Sequence, residues 1–450
     1  MEHLLLEAQL PHPLPALLPQ LFEASRGSRV ALVGGALRDL LLHRWHQDPW
    51  RGVTDVDLVV ESPFPHAHPD HGDGLAPAHR LVRRLLAQLD PADVIFSQFH
   101  QAYGTVELEL QLSVGSSAGA VADHAESLLL DVATARVERY LAPAENPQVS
   151  FGGLEDDLAR RDFTVNAMAL LLSPGGSRVL DPHGGAEDLQ DRQLRLLHAR
   201  SLADDPTRVV RAARYGARLG FGLAVESVRQ IGATLQEWPW SWRPGDAPEQ
   251  APPALATRLR MELELLLERE PWPQALTLLQ RWGGMVLLDQ ALQVDGSWFR
   301  RIRWAERAGL PRLVALLAGA SDPMAVAARL QLPHRQQLLL EACQQLRQEL
   351  AQLDPQACAG WMPSTWTVWL ERRPRALEAV PLALACGAVP RGPLLRWWLC
   401  WRHVDAGVRA QDLLAAGMEP GPALGEHLRE LRRLRLDQRL PLRLQPTLRP

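Results

Sequence analysis

Asp55 and Asp57 stand two residues apart in Thr54-Asp55-Val56-Asp57-Leu58-Val59, an apolar, β-branched stretch that predicts a strand. On a strand, residues i and i+2 point to one side, so both carboxylates share a face. Carboxylates side by side repel unless a cation neutralises them. Oxygen ligands suit Mg²⁺, and two such ions can clamp an in-line displacement at phosphorus. Upstream, Leu32-Val33-Gly34-Gly35-Ala36-Leu37-Arg38-Asp39 puts a glycine pair where a short apolar run passes into helical spacing. Glycine lets backbone approach a phosphate closely, a helix N-terminus favours negative charge, and Arg38 can neutralise an oxyanion. Taken alone, each piece also has a plainer reading: a strand-to-helix turn and a solvated strand edge.

Two further segments combine charge with periodicity. Leu158-Ala159-Arg160-Arg161-Asp162-Phe163-Thr164-Val165-Asn166-Ala167-Met168-Ala169 sets two arginines and an aspartate before an apolar run, read as a helix opening at Asn166. Asp204-Asp205-Pro206-Thr207-Arg208 leads into Arg211, Arg214 and Arg218, whose spacing puts them near one helical face. An aspartate caps this helix and Pro206 belongs to its first turn. A carboxylate and an arginine close on one face present an acceptor and donors together, enough to mimic a Watson–Crick edge. The plainer reading is a salt-bridged helix.

The elements that must position these residues follow from pattern. Strands are expected at Arg29–Val33, Val56–Val60, Val94–Phe99, Gly104–Leu112 and Leu128–Ala133, with helices over Ala36–Arg44 and His79–Leu89. Ser62–Pro77 reads as a loop and Ser113–Ala120 as a Gly/Ser/Ala-rich connection. From Leu202 onward the periodicity is almost wholly helical. The tryptophans of this part (Trp238, Trp240, Trp242, Trp272, Trp282, Trp397, Trp398, Trp401) read mostly as anchors between helices.

In this order, the motifs resemble the class II tRNA nucleotidyltransferases, the family of CCA-adding enzymes and bacterial poly(A) polymerases. Strand, Gly-Gly turn, helix and Asp-x-Asp strand look like the active-site opening of polymerase-β-type nucleotidyltransferases. The resemblance covers about Val30 to Phe221 and includes Asp131-Val132-Ala133-Thr134-Ala135-Arg136-Val137-Glu138-Arg139-Tyr140 and Asp181-Pro182-His183-Gly184-Gly185 with Glu187-Asp188-Leu189. It implies an α+β chain: a mixed β-sheet head with helices, then all-α neck, body and tail. The expected division is 1–185 catalytic head, 186–250 neck with the base template, and 251–450 RNA-binding body and tail.

The resemblance also implies roles. Asp55 and Asp57 would hold two Mg²⁺ ions, with Asp131 a candidate third carboxylate. Gly34, Gly35 and Arg38 would meet the triphosphate. Arg161, Asp162 and Asn166 would contact the nucleotide, Asp162 at the ribose 2′-hydroxyl. Asp205, Arg208 and Arg211 would form the template for cytosine or adenine. The stretch Arg136 to Gln148 would match the flexible loop implicated in switching from C to A. Asp204 stands where the family usually has glutamate, one methylene shorter in reach. Arg258-Leu259-Arg260-Met261-Glu262-Leu263 resembles the helix that starts the body. No His-Asp dipeptide is present, so no phosphohydrolase domain of the HD type is indicated. The implied reaction is addition of C and/or A to a tRNA 3′ end from CTP and ATP. The alternatives are a CC-adding or A-adding enzyme working with a second tRNA nucleotidyltransferase, a poly(A) polymerase, transfer onto a protein or small molecule, and a catalytically silent RNA-binding relative.

Composition narrows the class. The chain has 450 residues, 46% hydrophobic and 22% charged, which excludes a mainly disordered chain. All 48 basic residues are arginine, whose planar fork suits phosphate and base contacts. Seven of them (Arg429, Arg432, Arg433, Arg435, Arg439, Arg443, Arg449) crowd the last stretch, a solvated helix face able to touch a polyanion. Cys343, Cys358, Cys386 and Cys400 form no C-x-x-C pair, against a zinc module or disulfide framework. Apolar runs are too short or broken for a membrane span, and Met1-Glu2-His3 offers no basic lead to a secretory signal. A cytoplasmic protein is expected.

Overall fold

The computed structural model describes residues 4–5, 10, 14–49, 55–62, 75–112 and 126–438. Thr54, most of the loop expected at Ser62–Pro77, the segment expected at Ser113–Ala120, and Arg439, Arg443 and Arg449 lie outside the described residues. The chain divides into two compact units. The first comprises Met1–Ser241, Pro252–Glu262 and Glu268–Gly284; the second comprises Trp242–Ala251, Leu263–Leu267 and Met285–Pro450.

The first unit is built on strands β1 (Leu4–Leu5), β2 (Arg29–Val33), β3 (Asp55–Glu61), β4 (Val94–His100), β5 (Thr105–Leu112), β6 (Glu126–Thr134), β7 (Arg136–Arg139), β8 (Gln148–Phe151), β9 (Ala169–Leu172) and β10 (Ser177–Leu180). Eight of them form one mixed sheet, in the order β1-β10-β9-β2-β3-β6-β5-β4. Among the described residues of this sheet, only β3 and β6 pair in parallel. Period-two patterning sets its faces. Val106, Leu108 and Leu110 of β5 and Leu128, Leu130 and Val132 of β6 are buried, while Glu107, Glu109 and Asp131 turn outward. Helices α1 (Leu14–Ser25), α2 (Gly34–His46) and α3 (Pro77–Leu86) pack with one another or on the sheet: α3 on α1, β3, β5 and β6, and α2 on β2 and β3. Ala31, Val33 and Val59 join Leu154 and Leu158 of α4 (Leu154–Ala159) in a separate apolar cluster.

One expectation is corrected here. Asn166 does not open a helix; it ends a short 3₁₀ turn, Thr164–Asn166, and the apolar run that follows is β9. The run fits either period, and the slot between β2 and β10 gives its backbone strand partners on both sides.

The remaining elements of this unit are α5 (Gly185–Gln190), α6 (Ser201–Asp204), α7 (Thr207–Leu219), α8 (Val225–Glu237), α9 (Thr257–Arg269) and α10 (Trp272–Arg281), plus a two-residue parallel pairing of Gln193–Leu194 with Gly222–Leu223. Part of α9, Leu263–Leu267, belongs to the second unit. The second unit is otherwise helical among the described residues. Trp397 and Trp401 are buried in it, and Trp361, Trp366 and Trp369 cluster with centroids 4.9 to 6.0 Å apart. The four cysteines are free thiols. No helix among the described residues is long and apolar enough to cross a membrane.

Candidate active site

A cavity of about 620 Å³ opens in the first unit. Gly34, Gly35, Arg38, Asp57, Asp131, Arg161, Asp162, Asn166, Asp205, Arg208 and Arg211 all line it. Of the expected site residues only Asp55 is absent from the lining; it stands exposed at the start of β3.

The carboxylate end is set by strand register. Asp57 of β3 lies opposite Asp131 of β6, and Asp131 lies opposite Glu107 of β5, so three acids form a row across the sheet. Burial pushes the Asp57 carboxyl up to about 6, Asp131 and Asp55 add to the rise, and Arg161 opposes it. Asp131 is raised as well, by burial and by Glu107 and Asp55, against His100. These carboxylates are short of positive charge, the condition a bound cation relieves. The glycine turn closes on them. Gly34 has φ +73°, and a Cβ there would sit 2.8 Å from Asp57 Oδ2 and 3.6 Å from Arg161 Nη1. Only glycine lets the start of α2 come this close to the acid. Among the described residues, no group of three or more His, Cys, Asp or Glu is gathered closely enough to hold a metal ion by itself.

Next to the acids lies a braced set of arginines. Asp157, fully buried on α4, accepts from Arg160 Nε and Nη2 (3.0 and 2.8 Å) and from Arg161 Nη2 (2.9 Å). Arg161 Nη1 also donates to the Asn166 carbonyl at 3.3 Å, and Arg160 Nη1 to Glu138 at 2.9 Å. Burial would raise the Asp157 carboxyl, but the two guanidiniums win and hold it below its ordinary value. Arg38 is buried and donates to Asn166 Oδ1 at 2.9 Å and to Asp39 at 2.8 Å.

Asp162 joins this set to α7. Its Oδ1 accepts from the Phe163 amide (2.8 Å) and Asn166 Nδ2 (3.0 Å); its Oδ2 accepts from Arg211 Nε (2.8 Å). Burial works against ionisation, yet Arg211 and the hydrogen bonds outweigh it and the carboxyl falls below the usual range. Arg211 further donates to Glu262 (3.0 Å) and the Tyr215 hydroxyl (3.1 Å). Arg214 bridges Glu262 and Glu270, and Arg218 pairs with Glu270. Arg211, Arg214 and Arg218 of α7 and Arg38 of α2 all lie within 6.0 Å of the Tyr215 ring centroid, so four guanidiniums surround one aromatic ring.

The base-reading pair sits where α6 gives way to α7. Asp205 is not the expected cap, since Pro206 holds the N-cap position without a side-chain bond; Asp205 Oδ1 instead closes the turn before the helix, accepting from Thr207 N (3.0 Å) and Thr207 Oγ1 (2.6 Å). Pro206 precedes that helix rather than lying in its first turn. Arg208 Nη2 donates to the Arg160 carbonyl at 3.0 Å. Asp204 turns aside to Arg200 (3.1 Å) and does not line the cavity, so the shorter acid is engaged elsewhere. Its carbonyl accepts from Ala144, the buried residue midway along the loop between β7 and β8.

Sequence reasoning missed Asp157 and Tyr215, and quoted Glu138, Arg258 and Glu262 within longer motifs without giving them a place in the site. Asp157 had a local signal, three and four residues before the arginines it holds. Glu262 had none, since it meets Arg211 across 51 residues of chain.

Residues 88–195 match the poly A polymerase head domain. The chain is 35% identical over 329 residues to the CC-adding tRNA nucleotidyltransferase of Deinococcus radiodurans, covering 70% of this chain and 71% of that protein. It is 35% identical over 197 residues to the A-adding tRNA nucleotidyltransferase of Aquifex aeolicus, but spans only 19% of that longer protein. The Thermotoga maritima CCA-adding enzyme complexed with tRNA has the same fold, with a TM-score of 0.64 at 22% identity over 95% of this chain and 92% of that one.

Proposed function

Because the chain belongs to the class II tRNA nucleotidyltransferase family, we propose that it adds C and/or A, without a nucleic-acid template, to the 3′ end of tRNA. The observation that supports this reading is the meeting, in one cavity, of a carboxylate row, a glycine turn, braced arginines and an Asp205–Arg208 pair. The partners are tRNA, CTP and ATP, and the compartment is the cytoplasm. The expected division into head (1–185), neck (186–250) and body with tail (251–450) is kept as part of this proposal.

Asp55 and Asp57, with Asp131 beside them, would hold Mg²⁺. The fit rests on the raised Asp57 carboxyl and on ligand chemistry: Mg²⁺ commonly takes one or two carboxylates plus substrate phosphates, not an all-protein cage. When bound, two Mg²⁺ ions would favour ionisation of the RNA 3′-hydroxyl and stabilise the pyrophosphate that leaves the α-phosphate. The chain's own residues position the reactants. Arg38, buried, and Arg161, half-buried, would face the triphosphate from pre-braced positions, so little order is lost on binding. Asp162 is held ionised as an acceptor for the ribose 2′-hydroxyl. Asp205 and Arg208 offer an acceptor and a donor to the base edge.

An extension assay tests this. Three tRNA transcripts, ending before CCA, after C and after CC, are offered with CTP, ATP and Mg²⁺. Ordered CTP and ATP addition supports a full CCA-adding enzyme, and long A tails on unrelated RNA would make it a poly(A) polymerase. Failure of folded protein to extend any transcript would overturn the proposal. A second reading, a CC-adding enzyme that leaves the A to a partner, is favoured by the extent of the Deinococcus match. It requires CTP addition without ATP.

A further inference from the structure

Asp205 has two carboxylate oxygens, each able to accept about two hydrogen bonds. Both Oδ1 sites are taken by Thr207, through its amide and its hydroxyl. Oδ2 pairs with Nη2 of Arg258, the second residue of α9. One acceptor site on Oδ2 therefore remains for a ligand, and Arg258 fixes where it points.

Arg258 brings a second feature. Its Nη1 is buried with no hydrogen-bond partner, and so is Nη1 of Arg208. Both side chains line the cavity. Buried donors without partners are costly, and two at one site call for an acceptor-bearing ligand. Neither side chain is idle: Arg208 Nη2 is tied to Arg160 and Arg258 Nη2 to Asp205, so each guanidinium is anchored by one nitrogen with the other left over. One turn further along α9, Glu262 grips Arg211 and Arg214. The i and i+4 positions of α9 thus hold both the turn before α7 and its arginine face.

We infer that Arg258 is a specificity-determining residue, completing with Asp205 and Arg208 an acceptor–donor–donor edge that favours cytosine. This rests on the function proposed above. Cytosine presents one donor and two acceptors (N4–H, N3 and O2), the complement of that edge. Adenine presents a donor and a single ring acceptor beside it, so it leaves one guanidinium unmatched. Uracil places an acceptor against Asp205.

The test is calorimetric binding of CTP, ATP and UTP to the full-length protein and to Arg258→Lys and Arg258→Met, each first shown to be folded by its thermal melt. Lysine keeps a charge for Asp205 but loses the second fork nitrogen. Arg258→Lys is expected to weaken CTP about tenfold more than ATP. Arg258→Met is expected to weaken both, with CTP again the more affected, and to narrow the gap to UTP. Equal loss for CTP and ATP in Arg258→Lys, or no loss, would overturn the inference and leave Arg258 as a brace. The broader proposal fails differently, by absence of CTP and ATP binding in the unaltered protein.

Discussion

Arg211 in the first unit, half-buried on a cavity wall, and Arg329 in the second, almost wholly buried, are held by opposite kinds of partner. Arg211 faces carboxylates: Asp162 first, then Glu262, and these hold it charged well above its ordinary value against the cost of burial. Arg329 is almost wholly buried and faces backbone carbonyls, donating to Leu287 O at 2.8 Å and Leu288 O at 2.9 Å, with its guanidinium 4.7 Å from the Trp242 ring centroid. Burial lowers it to about 10, only partly opposed by Asp289. Arg301 in the same unit combines the two, donating to the Ala315 and Leu316 carbonyls and pairing with Asp295 at 2.7 Å. Carbonyl-held arginines satisfy the last carbonyls of short helices that water cannot reach. Carboxylate-held arginines keep a strong field at a cavity wall. Residue type alone does not separate the two; the counter-group does.

The largest effect that would sharpen this contrast lies at the acids the arginines face. Asp57→Asn is expected to lower extension activity by about 10³-fold or more with the fold retained. It should also stabilise the metal-free protein. The native Asp57 carboxyl, at about 6, sits above its ordinary 3.8, so its favourable contribution is present below 3.8 and is lost as pH rises through 6. At pH 7.5 the variant should be more stable than the parent by on the order of 2 kcal/mol in urea unfolding, with the gap closing below about pH 4. Equal stability at both pH values would show that the charge is not costly there. By the same sign, protons compete with Mg²⁺ at Asp57, so kcat/KM should fall below about pH 6, more steeply at low Mg²⁺.

Exchanging the two arginine classes is the next test. Arg211→Met should reduce kcat/KM about 10²-fold through loss of oriented charge. Arg329→Met should leave activity per folded molecule unchanged while costing about 2–4 kcal/mol in urea unfolding, because two carbonyls lose their donor. If Arg329→Met lost activity without losing stability, the contrast would break. Gly34→Ala is expected to cost about 1–2 kcal/mol for the left-handed backbone and to cut activity by displacing Asp57 or Arg161. The smallest effect belongs to the surface. Arg432 forms a two-pronged pair with Glu371, both contacts at 2.7 Å, yet it is partly exposed, so Arg432→Ala should cost no more than about 1 kcal/mol.

Legibility in the sequence followed range. β2 and β3 were readable because a strand announces itself within five to seven residues. So were α2, with its glycine start, and the strands β4 and β5. Ala169–Leu172 was misread because its apolar run fits either period, and only its neighbours in the sheet decide. Asp157 was legible in principle, since its partners lie within one helical turn. Glu262, Glu270 and Arg258 meet α7 and its preceding turn from 48 to 56 residues away, and no window of sequence holds that information.

The sequence by itself determined which side chains could act together within one element. Asp55 shares a side with Asp57 through strand period, and Arg211, Arg214 and Arg218 share a face through helical period. Both are consequences of local backbone geometry. Tertiary structure decided which groups meet. Parallel register brought Asp131 beside Asp57, close packing required Gly34 to lack a Cβ, and α9 left Asp205 a single open acceptor. Those outcomes depend on how buried apolar faces dock, and that free energy is summed over the whole unit, not written at any one position.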